Sequence, residues 1–339
     1  MRWTSYRSTT DGREHAALLH GDELLALDRP LLAALRDDTP LDGWAEHARA
    51  RPWERLPAET TPLLAPVVPD PPSVRDFMAF ENHVVTSHAA FGAEVSPVWY
   101  EQPVFHFSNP AAILGPEDEV PMAPGTARWD FELEVAAVVG RTGADVHPDR
   151  AEEHVAGYAV LCDWSARDLQ ATETAVGLGP AKGKDTATSL GPWLVTPDEL
   201  EPYRKGRGYD LRMSASVNGL PYSSGTWADL SWSFAEMLSY ASRGTRVRPG
   251  DIIGSGTVGT GCILELGLTH GEAAFPWLRP GDEVTLEIEQ LGAIRSLISR
   301  ARLSPDPVPC GSSAQAGAAA YRPGATRPTS QPPAQTLRA

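Results

Sequence analysis

The chain has 339 residues, of which 42 % are apolar and 22 % charged, an ordinary globular balance that allows one large domain with a small accessory one. Its net charge of −15 argues against nucleic acid as a partner, because phosphate binding needs a basic surface. No stretch is apolar over enough residues to span a bilayer, so a membrane role is not expected either.

Residues 1–66 read as a small N-terminal domain. Strand-like MRWTSYR and EHAALLH are joined by an Asp11-Gly12 turn, Gly21-Asp22 leads into ELLAL, and PLLAALR and DGWAEHARA read as short helices. The proline-rich LLAPVVPDPPS reads as an extended linker. Over 74–92, VRDFMAFENHVVTSHAAFG carries Phe77, Phe80 and Val84 at helical spacing, with Ser73 as a candidate N-cap. On such a helix Asp76 and His83 would share one face.

From 104 to about 303 the pattern is mostly strands and turns, and a larger domain is expected over 67–304. FELEVAAVVG, GYAVLCDW and GPWLVT are short apolar runs, LRMSASV-NG-LPYSSG is a hairpin signal, DEVTLEIEQLGAIRSLI is a second hairpin, and WSFAEMLSYASR is a helix between them. Residues 305–339 hold almost no large apolar side chains and are expected to be a disordered tail. Cys162, Cys262 and Cys310 are far apart and show no zinc-ligand spacing, and the N-terminus lacks the apolar run of a signal peptide, so a reduced, cytoplasmic chain is expected.

Four segments carry chemistry. In Trp129–Val135 strand alternation puts Asp130, Glu132 and Glu134 on one side and Phe131, Leu133 and Val135 on the other. Close carboxylates leading into an apolar strand repel one another and resist desolvation, which a hard cation would relieve; a solvated acidic face is the alternative. In GYAVLCDWSARDLQ, Asp163 ends an apolar strand, and a helical turn would present it beside Arg167 and Gln170; it could equally be an N-cap. GLGPAKGKDTATSLGPW has the wrong spacing for a phosphate-binding loop but would hold Lys184 near a site, unless Lys184 is a surface residue. GDIIGSGTVGTGCILELG carries Thr257 and leads to an apolar strand with one acid, Glu265, which could also face solvent.

In this order, DF…H (Asp76, Phe77, His83), DFELE (130–134), DWSARDLQ (163–170), GPAKGKD…GPW (179–193), and SGT with LEL (255–257, 264–266) resemble the fumarylacetoacetate hydrolase family over roughly 74–298. The resemblance implies a β-rich α+β fold, a mixed β-roll catalytic domain with a small N-terminal domain, and a homodimer. It makes Glu132, Glu134 and Asp163 metal-binding carboxylates, with Asp76 a further acid and Mg²⁺, or else Mn²⁺ or Ca²⁺, as the ion. It makes His83 the base that activates water, Glu265 the residue that orients it, and Lys184, Arg167, Gln170 and Thr257 substrate or oxyanion contacts.

The implied activity is metal-dependent hydrolysis of a C–C bond in a β-diketo acid, an acylpyruvate or fumarylacetoacetate-like substrate. An isomerase or decarboxylase of a 2-oxo acid using the same enolate chemistry is the second reading, and a non-enzymatic scaffold the third. The substrate-reading positions depart from the family: Met78 stands where the fumarylacetoacetate-cleaving members have Tyr, and Gly92 where they carry a carboxylate-binding Arg.

Overall fold

The computed structural model describes residues 1–67, 71–90 and 93–301. The tail expected over 305–339 and the centre of the proline-rich linker lie outside them. A 12-stranded mixed sheet runs in the order Arg55–Pro57, Glu23–Ala26, Glu14–His20, Arg2–Arg7, Thr188–Val195, Val155–Asp163, Leu133–Val139, Ile252–Gly254, Val74–Phe77, Phe105–Ser108. Two short strands, Leu63–Leu64 and Ile113–Leu114, attach beside that path.

Leu133–Val139 is buried at every residue, which an apolar run can achieve only when both of its faces are covered. On one face Leu133, Val135, Ala137 and Val139 join the main core. On the other, Ala136 packs with Ala159, Leu161, Leu190 and Ile252. The main core is closed by a 5-stranded sheet that includes the hairpin Arg212–Val217 and Leu220–Thr226 and the hairpin Glu283–Ile288 and Gly292–Ser299. Asn218 and Gly219 both have positive φ, 52° and 76°, as a tight two-residue hairpin turn requires. The helix Phe234–Ser242 opens with a capping box between Ser233 and Glu236.

At the N-terminus, Arg2–Arg7 pairs antiparallel with Thr188–Val195, so these strands continue the large sheet. Helices Leu31–Arg36 and Leu41–Ala50 bury Leu31, Leu35 and Trp44 with Trp3, Leu18 and Leu25 in a core of their own. No helix among the described residues is long and apolar enough to cross a membrane.

Three local expectations are corrected. Residues 74–92 are not one helix: Val74–Phe77 is a fully buried strand between Ile252–Gly254 and Phe105–Ser108, and the helix begins at Glu81. Asp76 and His83 therefore share no helix face, and Ser73 is no N-cap but donates its hydroxyl to Asp251 Oδ1 at 2.8 Å. Pairing on both edges of the strand overrides a helical spacing that three apolar residues mimic. CILELG is not a strand: Ile263–His270 is a helix capped by Cys262, a short apolar run for which periodicity does not separate the two states. Asp163 lies on no helical turn with Arg167 and Gln170, because it ends its strand four residues before the helix Arg167–Ala175 begins.

Candidate active site

Four acids meet where four adjacent strands end or begin. Leu133 pairs with Cys162, which sets Glu132 beside Asp163, and the Asp163 amide donates to the Glu132 carbonyl at 3.3 Å. Gly254 is opposite Ala136 on one side and Asp76 on the other, which brings Asp76 to Glu134. Side-chain oxygens of Asp76, Glu132 and Glu134 lie within 4.8 Å of one another. None of the four residues is more than 4 % exposed.

Two glycines make the approach possible. A Cβ on Gly254 would lie 2.5 Å from Asp76 Oδ1 and 3.1 Å from Glu134 Oε2. Gly256, at φ +77°, would put a Cβ 2.4 Å from the Phe77 carbonyl, and its amide donates to Glu134 Oε2 at 3.1 Å. Gly254 and the SGT motif that follows it are thus the backbone that lets the acids pack.

The acids are only partly satisfied. Lys184 Nζ donates to Asp163 Oδ2 at 2.6 Å and to Glu132 Oε2. Arg167 is divided between Asp130 Oδ2 through Nε and Glu132 Oε1 through Nη2, both at 2.8 Å. Asp76 Oδ1, Glu134 Oε1 and Asp163 Oδ1 are buried with no hydrogen-bond partner. Burial, reinforced by Asp76, lifts the Glu134 carboxyl well above the ordinary range. Burial also pushes Asp163 up to about 8, with Asp76 and Glu132 adding to it against the pull of Lys184. Glu132 goes the other way: burial opposes ionisation, but Lys184 and Arg167 together hold it far below the usual carboxylate range. Three orphaned, deeply buried oxygens in one acid cluster fit a hard cation, and Glu132, Glu134, Asp163 and Asp76 are the residues that could hold it.

A second pair stands on helices. His83, on Glu81–Ala90, has Nδ1 2.8 Å from Glu265 Oε2, on Ile263–His270. Glu132 and Cys262 form an antiparallel bridge, which fixes the start of the Glu265 helix against the acid cluster. Asp130 holds that start directly, accepting from the Ile263 and Leu264 amides at 2.7 and 3.0 Å. Asp130 is therefore committed to Arg167 and to a helix terminus.

Of the other sequence candidates, Gln170 accepts from Arg167 Nη1 at 3.1 Å, Thr257 is buried just beyond Gly256, and Met78 is half-buried with its carbonyl accepting from Trp99 Nε1 at 2.7 Å. Sequence reasoning missed Glu173, whose carboxylate gathers the amides of Ala181, Lys182 and Gly183 and so anchors the loop of Lys184. It also missed His106, which the register places opposite Asp76. The available signal was a single polar residue between Phe105 and Phe107 in an apolar strand.

The sequence model of the fumarylacetoacetate (FAA) hydrolase C-terminal family matches residues 73–299. The chain belongs to the fumarylacetoacetate hydrolase family. It is 28 % identical over 287 residues to a fumarylacetoacetase of Oryza sativa, covering 68 % of this chain and 66 % of that one, just under two thirds of the relative's length. It is 31 % identical over 251 residues to the human mitochondrial oxaloacetate tautomerase, covering 74 % of this chain and 73 % of that one. Among solved structures, the fumarylacetoacetate hydrolase of Exiguobacterium antarcticum superposes with a TM-score of 0.65 at 27 % identity, covering 89 % of this chain and 100 % of the other. The sheet-rich α+β fold is that of the family.

Proposed function

We propose that the protein is a divalent-metal-dependent hydrolase that cleaves a C–C bond in a β-diketo acid, an acylpyruvate or a fumarylacetoacetate-like compound. The observation that carries this reading is the imidazole–carboxylate pair of His83 and Glu265, 2.8 Å apart, built against a cluster of buried acids with unpartnered oxygens. A divalent cation, Mg²⁺ or else Mn²⁺ or Ca²⁺, held by Glu132, Glu134 and Asp163 with Asp76 beside them, supplies Lewis-acid polarisation of the substrate's oxo groups.

Glu265 accepts the Nδ1 proton of His83 and so fixes the tautomer that leaves Nε2 free as a base. His83 takes a proton from water as the water oxygen bonds to the distal carbonyl carbon. The C–C electron pair leaves with the departing carbon, which takes the proton from His83 and so regenerates the neutral imidazole. The buried Lys184 ammonium, kept charged by Asp163 and Glu132 despite its burial, offsets the negative charge that grows on oxygen. Arg167 holds Glu132 in place, with Gln170 against it; Thr257 and Met78 are assigned to the substrate side.

The second reading, isomerisation or decarboxylation of a 2-oxo acid without attack by water, is favoured by the similarity to the tautomerase. Turnover of acylpyruvates, oxaloacetate and fumarylacetoacetate, with Mg²⁺ and after chelation, separates the two. Two carboxylic products in a metal-dependent reaction support hydrolysis. Carbon dioxide, or a shifted double bond with the chain intact, replaces it with the second reading.

We also propose a cytoplasmic homodimer. The Phe105–Ser108 strand lies at the end of the sheet with Phe107 64 % exposed, the kind of edge a second copy covers. Sedimentation equilibrium giving a monomer at micromolar concentration removes the dimer.

A further inference from the structure

The edge strand Phe105–Ser108 brings a nitrogen, that of His106, beside the carboxylate oxygens of Asp76 and Asp163. Asp76 and His106 are direct cross-strand partners, so both side chains leave the sheet on the same face. The neighbouring pair, Arg75 and Phe107, points to the opposite face, with the Arg75 guanidinium 5.2 Å over the Phe107 ring. His106 Nε2 is buried and makes no hydrogen bond. The nearest carboxylate oxygen, Asp163 Oδ2, is 3.8 Å away, beyond hydrogen-bond range.

Other covered histidines of this chain do not behave in this way. His15 satisfies both ring nitrogens, with the Leu27 carbonyl at 2.9 Å and Asp11 at 3.1 Å, and His83 is paired with Glu265. A covered imidazole nitrogen with no partner calls for an explanation, because its lost hydration is left uncompensated. Donor atoms of Asp76, His106 and Asp163 all lie within 4.8 Å of one another, near enough to share a single cation at bond lengths of about 2.0–2.4 Å. Asp76 also belongs to the group formed with Glu132 and Glu134, so the two sets of donors share that residue.

We propose that His106 is a nitrogen ligand of the cation held by the acid cluster, which makes the centre a mixed nitrogen–oxygen site preferring Mn²⁺ or Co²⁺ over Mg²⁺. The inference rests on the metal site of the proposed function but not on its reaction. Imidazole is a softer donor than carboxylate and adds affinity for first-row transition ions, while Mg²⁺ gains little from it. His106 is therefore the residue that would set which ion this chain holds.

The test is pulsed electron paramagnetic resonance of the full chain loaded with Mn²⁺, read for ¹⁴N modulation from a coordinated imidazole. Wild type and His83→Gln are expected to show it, and His106→Phe and His106→Gln to lose it. The ratio of Mn²⁺ to Mg²⁺ affinity is expected to fall at least about tenfold in the His106 variants. His106→Gln keeps a polar side chain of similar reach and serves if the Phe variant does not fold. Bound Mn²⁺ without nitrogen modulation in wild type, or modulation that persists in His106→Gln, overturns the assignment and leaves the carboxylate site standing. Wild type that binds no Mn²⁺ overturns both.

Discussion

The two halves of the site solve opposite problems. On the strand side, Asp76, Glu132, Glu134 and Asp163 are packed together with three of their oxygens unpartnered and with Lys184 and a shared Arg167 as the cations in contact with them. On the helix side, His83 and Glu265 satisfy each other, and Asp130 satisfies the amides at the start of the Glu265 helix. The strand side is incomplete without a cation, whereas the helix side is complete as it stands. Binding and catalysis should therefore separate by mutation.

The largest expected effect tests that separation directly. His83→Ala should lower kcat by about 10²–10⁴-fold, the usual contribution of a positioned base, while Mn²⁺ affinity changes little. Glu134→Ala should lose the metal and the activity together. Calorimetric titration beside steady-state kinetics checks both variants. Loss of metal binding in His83→Ala would show that the two halves are one unit.

Gly254→Ala comes next. The added Cβ would stand 2.5 Å from Asp76 Oδ1 and 3.1 Å from Glu134 Oε2, so Asp76 must shift and Glu134 must give way while the dyad is left alone. We expect metal affinity to fall by about 10–100-fold, as when the supports of metal ligands are disturbed. Unchanged affinity would mean that the close approach of these two acids is not what builds the site.

A smaller effect follows from protonation. With its carboxyl raised to about 8, folded metal-free chain keeps a proton on Asp163 that the unfolded chain has released at about pH 4. Stability from this group is therefore complete below about pH 4 and is lost as the pH rises towards the raised folded-state value. Glu134, raised by burial and by Asp76, acts with the same sign. A cation must displace these protons, so Mn²⁺ binding should release at least one proton at pH 6 and fewer at pH 9. Calorimetry in buffers of different ionisation enthalpy counts them, and binding without proton release at pH 6 would contradict Asp163 and Glu134 carboxyls held neutral by burial.

The contrast also explains what could be read from the sequence. Alternation along Phe131–Val135 was legible because strand geometry has a period of two, and Phe131, Leu133 and Val135 do enter the main core. The two hairpins carried their own turn chemistry. The strand at Val74–Phe77 was not legible, because its burial comes from partners far along the chain at Ile252–Gly254 and Phe105–Ser108. The same long-range pairing hid His106, which has meaning only opposite Asp76. The role of Asp130 was hidden too: the stripe shows three equivalent acids, and only tertiary structure commits one of them to the Ile263 and Leu264 amides.

Glu173 offers the finest division, because it touches neither half. Its two oxygens accept from the Ala181, Lys182 and Gly183 amides at 3.0, 2.6 and 3.1 Å, and these amide donors hold its carboxyl below the ordinary range although burial opposes them. Ser108 Oγ fixes the same loop from the other side through the Lys184 carbonyl. Glu173→Gln replaces one acceptor oxygen with an NH₂ group facing amide donors, so the loop loosens while Lys184 itself is unchanged. Faster hydrogen exchange at 181–183 and a fall in kcat of less than about tenfold are expected, since losing hydrogen bonds to a charged acceptor costs about 1.5–3 kcal/mol, of which only a part reaches the transition state. If exchange quickens and kcat does not change, Lys184 is held by Asp163 and Glu132 alone, and the strand side positions its own cation without help from the loop.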